Sequence, residues 1–124
     1  MFFLTVPGDP SCAQGWRRHK NACYMYSPMH FNEVWSEANK YCKGSHAQLA
    51  QLPDNSDDLR FLSTLVKHRN QSRFWIAPPR DTREGYQKSR CPLFDNKKLG
   101  SRTTGDCAIK LPFICRRGKA NKCK

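Results

Sequence analysis

The chain has 124 residues and carries 22 Lys and Arg against 10 Asp and Glu, a formal net charge of +12. It is 38% hydrophobic and contains seven cysteines, which favours one compact, cross-linked domain over a disordered tail or a helix bundle. No apolar run approaches the roughly 20 residues that a membrane-spanning helix needs.

The first predicted elements are a short hairpin and a helix. Residues 16–19 and 22–27 are typical of two strands around a turn at residues 20–21. We expect Asn32 to cap the first helix. Trp35, Ala38 and Cys42 then fall on one apolar face, and the helix is expected to end near Gly44.

A second helix is predicted after Pro53. Ser56 is the expected N-cap, and the carboxylates of Asp57 and Asp58 complement the positive helix start. The apolar side chains recur at helical spacing, while basic residues suit the negative helix end. The expected buried stripe is Leu59, Leu62, Leu65 and Val66, followed by the basic residues Lys67, His68 and Arg69.

The second half of the chain has fewer local signals. Residues 74–77 are typical of a buried strand that stops at Pro78. Residues 80–106 are polar, basic and without apolar periodicity. Residues 107–109 and 112–115 resemble the two strands of a closing hairpin, and residues 116–124 are expected to form a flexible basic tail.

The charge is concentrated in this second half. Residues 67–124 contain sixteen basic and four acidic residues, so the whole net charge lies there. Either a polyanion-binding face or a basic surface without a ligand accounts for this arrangement.

The cysteines indicate disulfides formed in an oxidising compartment. They include no C-x-x-C pair and the four histidines are dispersed, so the pattern does not favour a zinc site. The sequon at residues 70–72 predicts glycosylation of Asn70. Choosing one unpaired cysteine and then a connectivity leaves 105 schemes, which counting alone does not resolve.

Several motifs taken together resemble the C-type lectin-like domain in its long form. They occur in the family's order between Cys12 and Cys115, which is most of the chain. The resemblance implies an α+β fold with two helices packed on small antiparallel sheets. The matching segments are residues 12–16, 23–24, 35–38, 49–52, 61–62, 74–77 (where the family has its WIGL motif) and 112–115.

The resemblance also implies a disulfide pairing and a domain division. The implied bridges are Cys12–Cys23, Cys42–Cys115 and Cys91–Cys107, which leaves Cys123 either to form an interchain bridge or to remain a free thiol. The lectin-like domain would then span residues 12–115, with an N-terminal extension or stalk remnant at 1–11 and the basic tail at 116–124.

The calcium motifs of the sugar-binding family members are missing from this sequence. It contains neither EPN nor QPD, and Arg102, Thr103 and Thr104 stand where WND is expected. The segment from Trp75 to Cys91 is shorter than the family's usual long loop. Seven cations against four anions between Trp75 and Cys107 would repel Ca²⁺, so we expect neither a metal nor a cofactor.

The remaining resemblance is to the calcium-independent receptors of natural killer cells and lymphocytes. It implies an extracellular or secreted ectodomain that binds a protein ligand, as a monomer or a homodimer. Phe94 is expected to fold inward, whereas Tyr86 could face either way. The candidate ligand-binding residues, rich in the Arg and aromatic groups of interfaces, are Arg80, Arg83, Tyr86, Lys88, Arg90, Lys97, Lys98 and Arg102.

The alternative ligand is a sulfated glycosaminoglycan or another polyanion on the basic surface of residues 78–124. Nucleic acid is a less favoured partner, because few aromatic residues are interleaved with these charges. An enzyme is not favoured, because no nucleophile, base or paired-carboxylate pattern can be argued from the spacing. Residues 1–7 superficially resemble a secretion signal but are too short, and we interpret the chain as a fragment of a secreted or membrane-anchored protein.

Overall fold

The computed structural model describes residues 12–28, 31–53, 55–67, 71–78, 89–98 and 103–118. These ranges contain two helices and seven strands. In chain order they are β1 (Arg17–His19), β2 (Ala22–Tyr26), α1 (Trp35–Gly44), β3 (Gln48–Leu49), α2 (Ser56–Leu65), β4 (Arg73–Trp75), β5 (Arg90–Asp95), β6 (Thr103–Asp106) and β7 (Ile114–Gly118).

The strands form two antiparallel sheets that meet at Trp75. One sheet has the order β1-β2-β7-β3 and the other the order β4-β5-β6. The backbone N–H of Trp75 donates to Pro112 O at 2.8 Å, and its indole Nε1 donates to Glu33 O at 2.8 Å. Trp75 is fully buried, so these bonds satisfy its polar groups while its ring fills the junction.

The start of α1 differs from the prediction. Val34 is the N-cap residue and makes no side-chain cap, so the expected cap at Asn32 is wrong. The reason is tertiary: Glu33 exchanges two backbone hydrogen bonds of 3.0 Å with Leu111, which keeps the chain before α1 extended. The predicted end at Gly44 is confirmed, and Ala38 and Cys42 face the core.

Helix α2 is confirmed with its cap moved by one residue. Asn55 Oδ1 accepts from the Asp58 backbone N–H at 2.8 Å, so Asn55 is the N-cap and Ser56 is the first helical residue. Leu62, Leu65 and Val66 are buried, whereas Leu59 is only partly buried. Of the predicted basic end, Lys67 is exposed, and residues 68–70 lie outside the described ranges.

The predicted closing hairpin at residues 107–115 is wrong. Cys107 and Ala108 form a turn, because Asp106 Oδ1 accepts from the Ala108 N–H at 2.9 Å. The preceding strand β6 pairs with β5, and β7 pairs with β2 and β3. Strands β5 and β6 lie within the segment for which the sequence showed no periodicity, because residues 92–94 are buried consecutively rather than in alternation.

The domain extends beyond its predicted boundary at Cys115. Strand β7 continues to Gly118, and Arg116 and Arg117 pair with Tyr24 and Cys23 of β2. The predicted flexible tail therefore begins at least three residues too early, while residues 119–124 lie outside the described part of the chain.

Three disulfides connect the elements. Cys12–Cys23 joins the N-terminal segment to β2, Cys42–Cys115 joins α1 to β7, and Cys91–Cys107 joins β5 to the turn after β6. This is the pairing that the resemblance implied. Cys42 and Cys115 are fully buried in one of two core clusters, which contains residues of α1 and of both sheets.

Candidate functional site

Strand β5 separates the predicted ligand-binding residues into two groups. Arg90 begins β5, whereas Lys97 and Lys98 follow its other end. The five residue steps from Arg90 to Asp95 span about 17 Å of extended chain. The three described candidates are therefore not brought together into one site.

The Arg90 side chain lies along β6. Its Nε donates to Thr104 Oγ1 at 3.2 Å and its Nη2 donates to Thr104 O at 2.8 Å. Cross-strand pairing puts Thr104 opposite Pro92, two residues along β5, so the guanidinium reaches along the sheet. The family resemblance would place calcium ligands in the segment that contains Thr104. Two oxygens of Thr104 are thus already bound by the Arg90 guanidinium.

The two carboxylates of the β5–β6 pair lie at opposite ends of it. Asp95 Oδ1 accepts from the Lys97 N–H at 2.9 Å, and Asp106 Oδ1 accepts from the Ala108 N–H at 2.9 Å. Each carboxylate therefore stabilises its own turn. Because the length of the strands separates them, these two groups cannot bind one cation together.

Most other predicted site residues lie outside the described ranges. Phe94 is an exception, since it is 1% exposed and faces the core as expected. The residues outside the described ranges are Arg80, Arg83, Tyr86, Lys88, Arg102, the glycosylation candidate Asn70 and the interchain candidate Cys123.

Arg116 and Arg117 belong to the folded sheet rather than to a mobile basic tail. Arg116 Nε donates to Tyr24 OH at 3.2 Å. Arg117 lies 4.5 Å from the centroid of the Trp16 ring, and its Nη2 donates to Ser45 O at 2.6 Å. Because Arg116 and Arg117 are consecutive strand residues, their side chains point to opposite faces of the four-stranded sheet. Both guanidiniums are held in defined positions by these contacts.

Sequence reasoning missed a charged cluster that joins the β1–β2 turn to α2. His19 Nε2 lies 2.6 Å from Asp58 Oδ1, and Lys20 Nζ lies 2.9 Å from Asp58 Oδ1 and 3.4 Å from Asp57 Oδ2. Lys20 adopts a φ of 57°, a left-handed conformation that is unusual for lysine. No local pattern signalled this cluster, because 39 residues separate His19 from Asp58.

Three residues of this charged cluster could bind a metal ion by their spacing. The ligand atoms of His19, Asp57 and Asp58 all lie within 4.8 Å of one another. However, Lys20 already binds both carboxylates, and Asn55 Nδ2 donates to Asp58 Oδ2 at 2.9 Å. We therefore interpret the cluster as a clamp between the hairpin and α2. The hydrogen bond to Asp58 also raises the pKa of Lys20.

The Asp58→Asn variant is expected to lose about 1–2 kcal/mol of unfolding free energy at pH 7. Hydrogen bonds from Asn55, His19 and Lys20 lower the pKa of Asp58 below its usual range. A lowered native pKa stabilises the fold above the unfolded value near 4, and this stabilisation is lost as the pH falls towards the native value. Urea unfolding at pH 7, 5 and 3 measures the unfolding free energies of the variant and the wild type. The difference between the two should become smaller below pH 4.

The matched control is Asp57→Asn, because Asp57 is 65% exposed and makes one ion pair of 3.4 Å. Its expected effect is within about 0.5 kcal/mol at every pH. A difference for Asp58→Asn that stays constant from pH 7 to pH 3 would contradict the proposed contribution of the ionised carboxylate.

Comparison with known proteins agrees with this architecture. Residues 32–117 match the family model of the Lectin C-type domain. The chain therefore belongs to the C-type lectin domain family, whose lectin-like members are in general binding domains without catalytic activity.

The chain is similar to named C-type lectin domain proteins and to one protein that is named as a receptor. C-type lectin domain family 2 member D of Mus musculus is 32% identical over 74 residues, which are 60% of this chain and 33% of that protein. Oxidized low-density lipoprotein receptor 1 of Rattus norvegicus is 33% identical over 66 residues, which are 53% of this chain and 17% of that protein. The matches thus span a third or less of these relatives.

Solved structures confirm the fold. Botrocetin superposes with a TM-score of 0.68 at 22% identity, covering 86% of this chain and 98% of that one. The carbohydrate-recognition domain of the human scavenger receptor C-type lectin superposes with a TM-score of 0.66 at 14% identity, covering 86% and 98%. Within the described residues, no helix has the length and apolar character needed to cross a membrane.

Proposed function

We propose that this chain is a calcium-independent, lectin-like ligand-binding ectodomain of a cell-surface receptor and that it recognises a protein partner. The observation that carries the proposal is the contact of Arg90 with both oxygens of Thr104. A guanidinium in this position repels a second cation and takes up lone pairs that a calcium ion would need.

The two turn-capping carboxylates support the same conclusion. Asp95 and Asp106 are each engaged by a backbone N–H and lie at opposite ends of the β5–β6 pair. Calcium sites in proteins combine several oxygens, usually with more than one carboxylate. The described part of the β5–β6 pair offers no such combination, so ligand recognition through a bound calcium ion is disfavoured.

The proposed contact surface is the end of the three-stranded sheet at Arg90. Arg90 is exposed and its guanidinium is held at two points, which reduces the entropy lost when a ligand binds it. Arginine is enriched at the energetic centres of protein interfaces. The sequence candidates Arg80, Arg83, Tyr86, Lys88 and Arg102 remain proposed ligand contacts and lie outside the described ranges, whereas Lys97 and Lys98 follow the opposite end of β5.

The relatives support an extracellular receptor role. One of them is named as a receptor for oxidized low-density lipoprotein. The three disulfides require an oxidising compartment, which agrees with a cell-surface or secreted location. The glycosylation proposed at Asn70 fits the same location.

The proposal is tested by binding of the biotin-tagged domain, assembled on streptavidin, to intact cells. We expect binding to heparinase-treated cells to be equal in 2 mM Ca²⁺ and in chelator, and to be lost after trypsin treatment. Arg90→Ala should weaken the binding at least tenfold, because truncation of an interface anchor removes most of its affinity.

The matched control is Arg60→Ala, since Arg60 is an exposed arginine that lies in α2 rather than in the three-stranded sheet. It should change the binding less than twofold. Binding that requires calcium, or that survives trypsin, contradicts the proposed protein ligand. Equal losses in the two variants contradict the proposed surface.

A further inference from the structure

Four long polar side chains form a row across the four-stranded sheet. The register puts Arg17 of β1 opposite Tyr24 of β2, Tyr24 opposite Arg116 of β7, and Arg116 opposite Gln48 of β3. Directly opposite residues share a face of the sheet, with Cβ atoms about 5 Å apart. We call these four residues the arginine row, which spans about 14 Å.

The middle of the arginine row is held rigidly. Arg116 Nε donates to Tyr24 OH at 3.2 Å, and the guanidinium carbon lies 5.9 Å from the centroid of the Tyr24 ring. The Tyr24 ring in turn contacts Phe61 of α2 edge to face, with centroids 5.0 Å apart. Packing against α2 thus positions the tyrosine that positions Arg116.

The two arginines of the row form no ion pair with a carboxylate of the described residues. Carboxylates of described residues make ion pairs with His19, Lys20 and Lys40, but with neither arginine of the row. Arg17 is exposed and Arg116 is partly buried. Two guanidiniums, a phenol and an amide therefore offer donors along one line with no acid among them.

We propose that the arginine row is a second binding surface, which takes a linear sulfated polysaccharide running across the strands. Arginine binds planar or tetrahedral oxyanions through two parallel hydrogen bonds, and a guanidinium already held in place loses little entropy. The two arginines are two strands apart, about 10 Å. This separation suits a polymer with repeated anionic groups better than a single ion.

This surface differs from the polyanion surface expected from the sequence. It includes Arg17, which lies in the charge-balanced first half of the chain, and it lies on the four-stranded sheet, whereas Lys97 and Lys98 lie in the turn after β5. It is also independent of the protein-binding surface proposed at Arg90.

The test is titration calorimetry of the full chain with a heparin oligosaccharide from 50 to 300 mM NaCl. We expect Arg17→Gln/Arg116→Gln to bind at least tenfold more weakly at 150 mM NaCl. Its salt dependence, as the slope of log K against log[NaCl], should be smaller by about 2, since two cationic contacts are lost. The exposed single variant Arg17→Gln should weaken binding at least threefold and does not disturb the Tyr24 contact.

Two further variants separate a built site from diffuse charge. Tyr24→Phe keeps the net charge but removes the hydroxyl that holds Arg116, and it should weaken binding at least threefold while thermal unfolding confirms the fold. Lys97→Gln/Lys98→Gln removes two charges from the turn after β5 and should change the affinity less than twofold. Hyaluronan, which carries carboxylates without sulfates, should bind at least tenfold more weakly than heparin.

The proposal is overturned if the wild-type chain does not bind heparin, or if the lysine variant loses as much affinity as the arginine variant. It is also overturned if Tyr24→Phe binds heparin like the wild type. None of these outcomes bears on the trypsin-sensitive cell binding proposed above, so the two proposals fail separately.

Discussion

Replacing Cys42 and Cys115 together by alanine is expected to lower the unfolding free energy by about 4 kcal/mol or more. This disulfide closes the longest loop, with a sequence separation of 73 residues, and both cysteines are fully buried. In the chain-entropy model a cross-link over this length stabilises by about 4.4 kcal/mol, and loss of the buried sulfurs adds a packing cost. Since the stability of a domain is typically about 5–15 kcal/mol, the variant should be close to unfolding.

The comparison is with alanine replacement of Cys12 and Cys23, whose separation is only 11 residues. The same model predicts a loss of about 3 kcal/mol for that pair. Urea unfolding at pH 7 measures both losses, with Cys123 replaced by serine in every protein to prevent thiol exchange. A larger loss of unfolding free energy for the short-loop variant would contradict the conclusion that the Cys42–Cys115 disulfide, between α1 and β7, contributes more to stability.

Ending the chain at Cys115 is expected to cost about 3–5 kcal/mol of unfolding free energy. The truncation removes Arg116, Arg117 and Gly118, which are three of the five β7 residues that pair with β2. Each lost backbone hydrogen bond is worth about 1 kcal/mol. The contacts of Arg117 with Trp16 and Ser45 and of Arg116 with Tyr24 are lost as well.

The matched control is a chain ending at Gly118, which retains all of β7. It should unfold within about 0.5 kcal/mol of the full chain, as measured by thermal and urea unfolding. If the two truncated chains are equally stable, the paired role of residues 116–118 is wrong. The result also decides how binding experiments are designed, because removal of the basic tail must begin after Gly118.

Local patterns predicted those parts of the fold whose stabilising contacts are close in sequence. The β1–β2 turn, the end of α1 and the body of α2 were found from apolar spacing and from turn and cap residues. These features depend on neighbours within about one helical turn. The cap of α2 was missed by one residue because Asn55 and Ser56 are both good capping residues, and only the geometry distinguishes them.

The errors occurred where distant residues decide the backbone. Leu111 holds Glu33 extended and so moves the start of α1 away from Asn32. Strand β5 has consecutive buried residues because neighbouring elements cover both of its faces. Such a strand lacks the alternation of apolar and polar residues by which a half-exposed strand is predicted. Arg116 and Arg117 resembled a tail because nothing nearby in sequence packs against them.

The candidate sites show the same division. The sequence showed that calcium motifs are missing and that basic residues are abundant, but it grouped Arg90 with Lys97 and Lys98. Strand pairing separates these residues by the length of β5. It also brings Arg17 and Arg116, which are 99 positions apart in the chain, into one row through Tyr24.

The sequence by itself determined the family, the need for disulfides and the excess of positive charge, because motif order, cysteine count and composition are properties of the chain alone. Only the tertiary structure decided which cations share a surface. The reason is that cross-strand register brings together residues from different parts of the chain, and that register is set by burial of the two core clusters and by the disulfides.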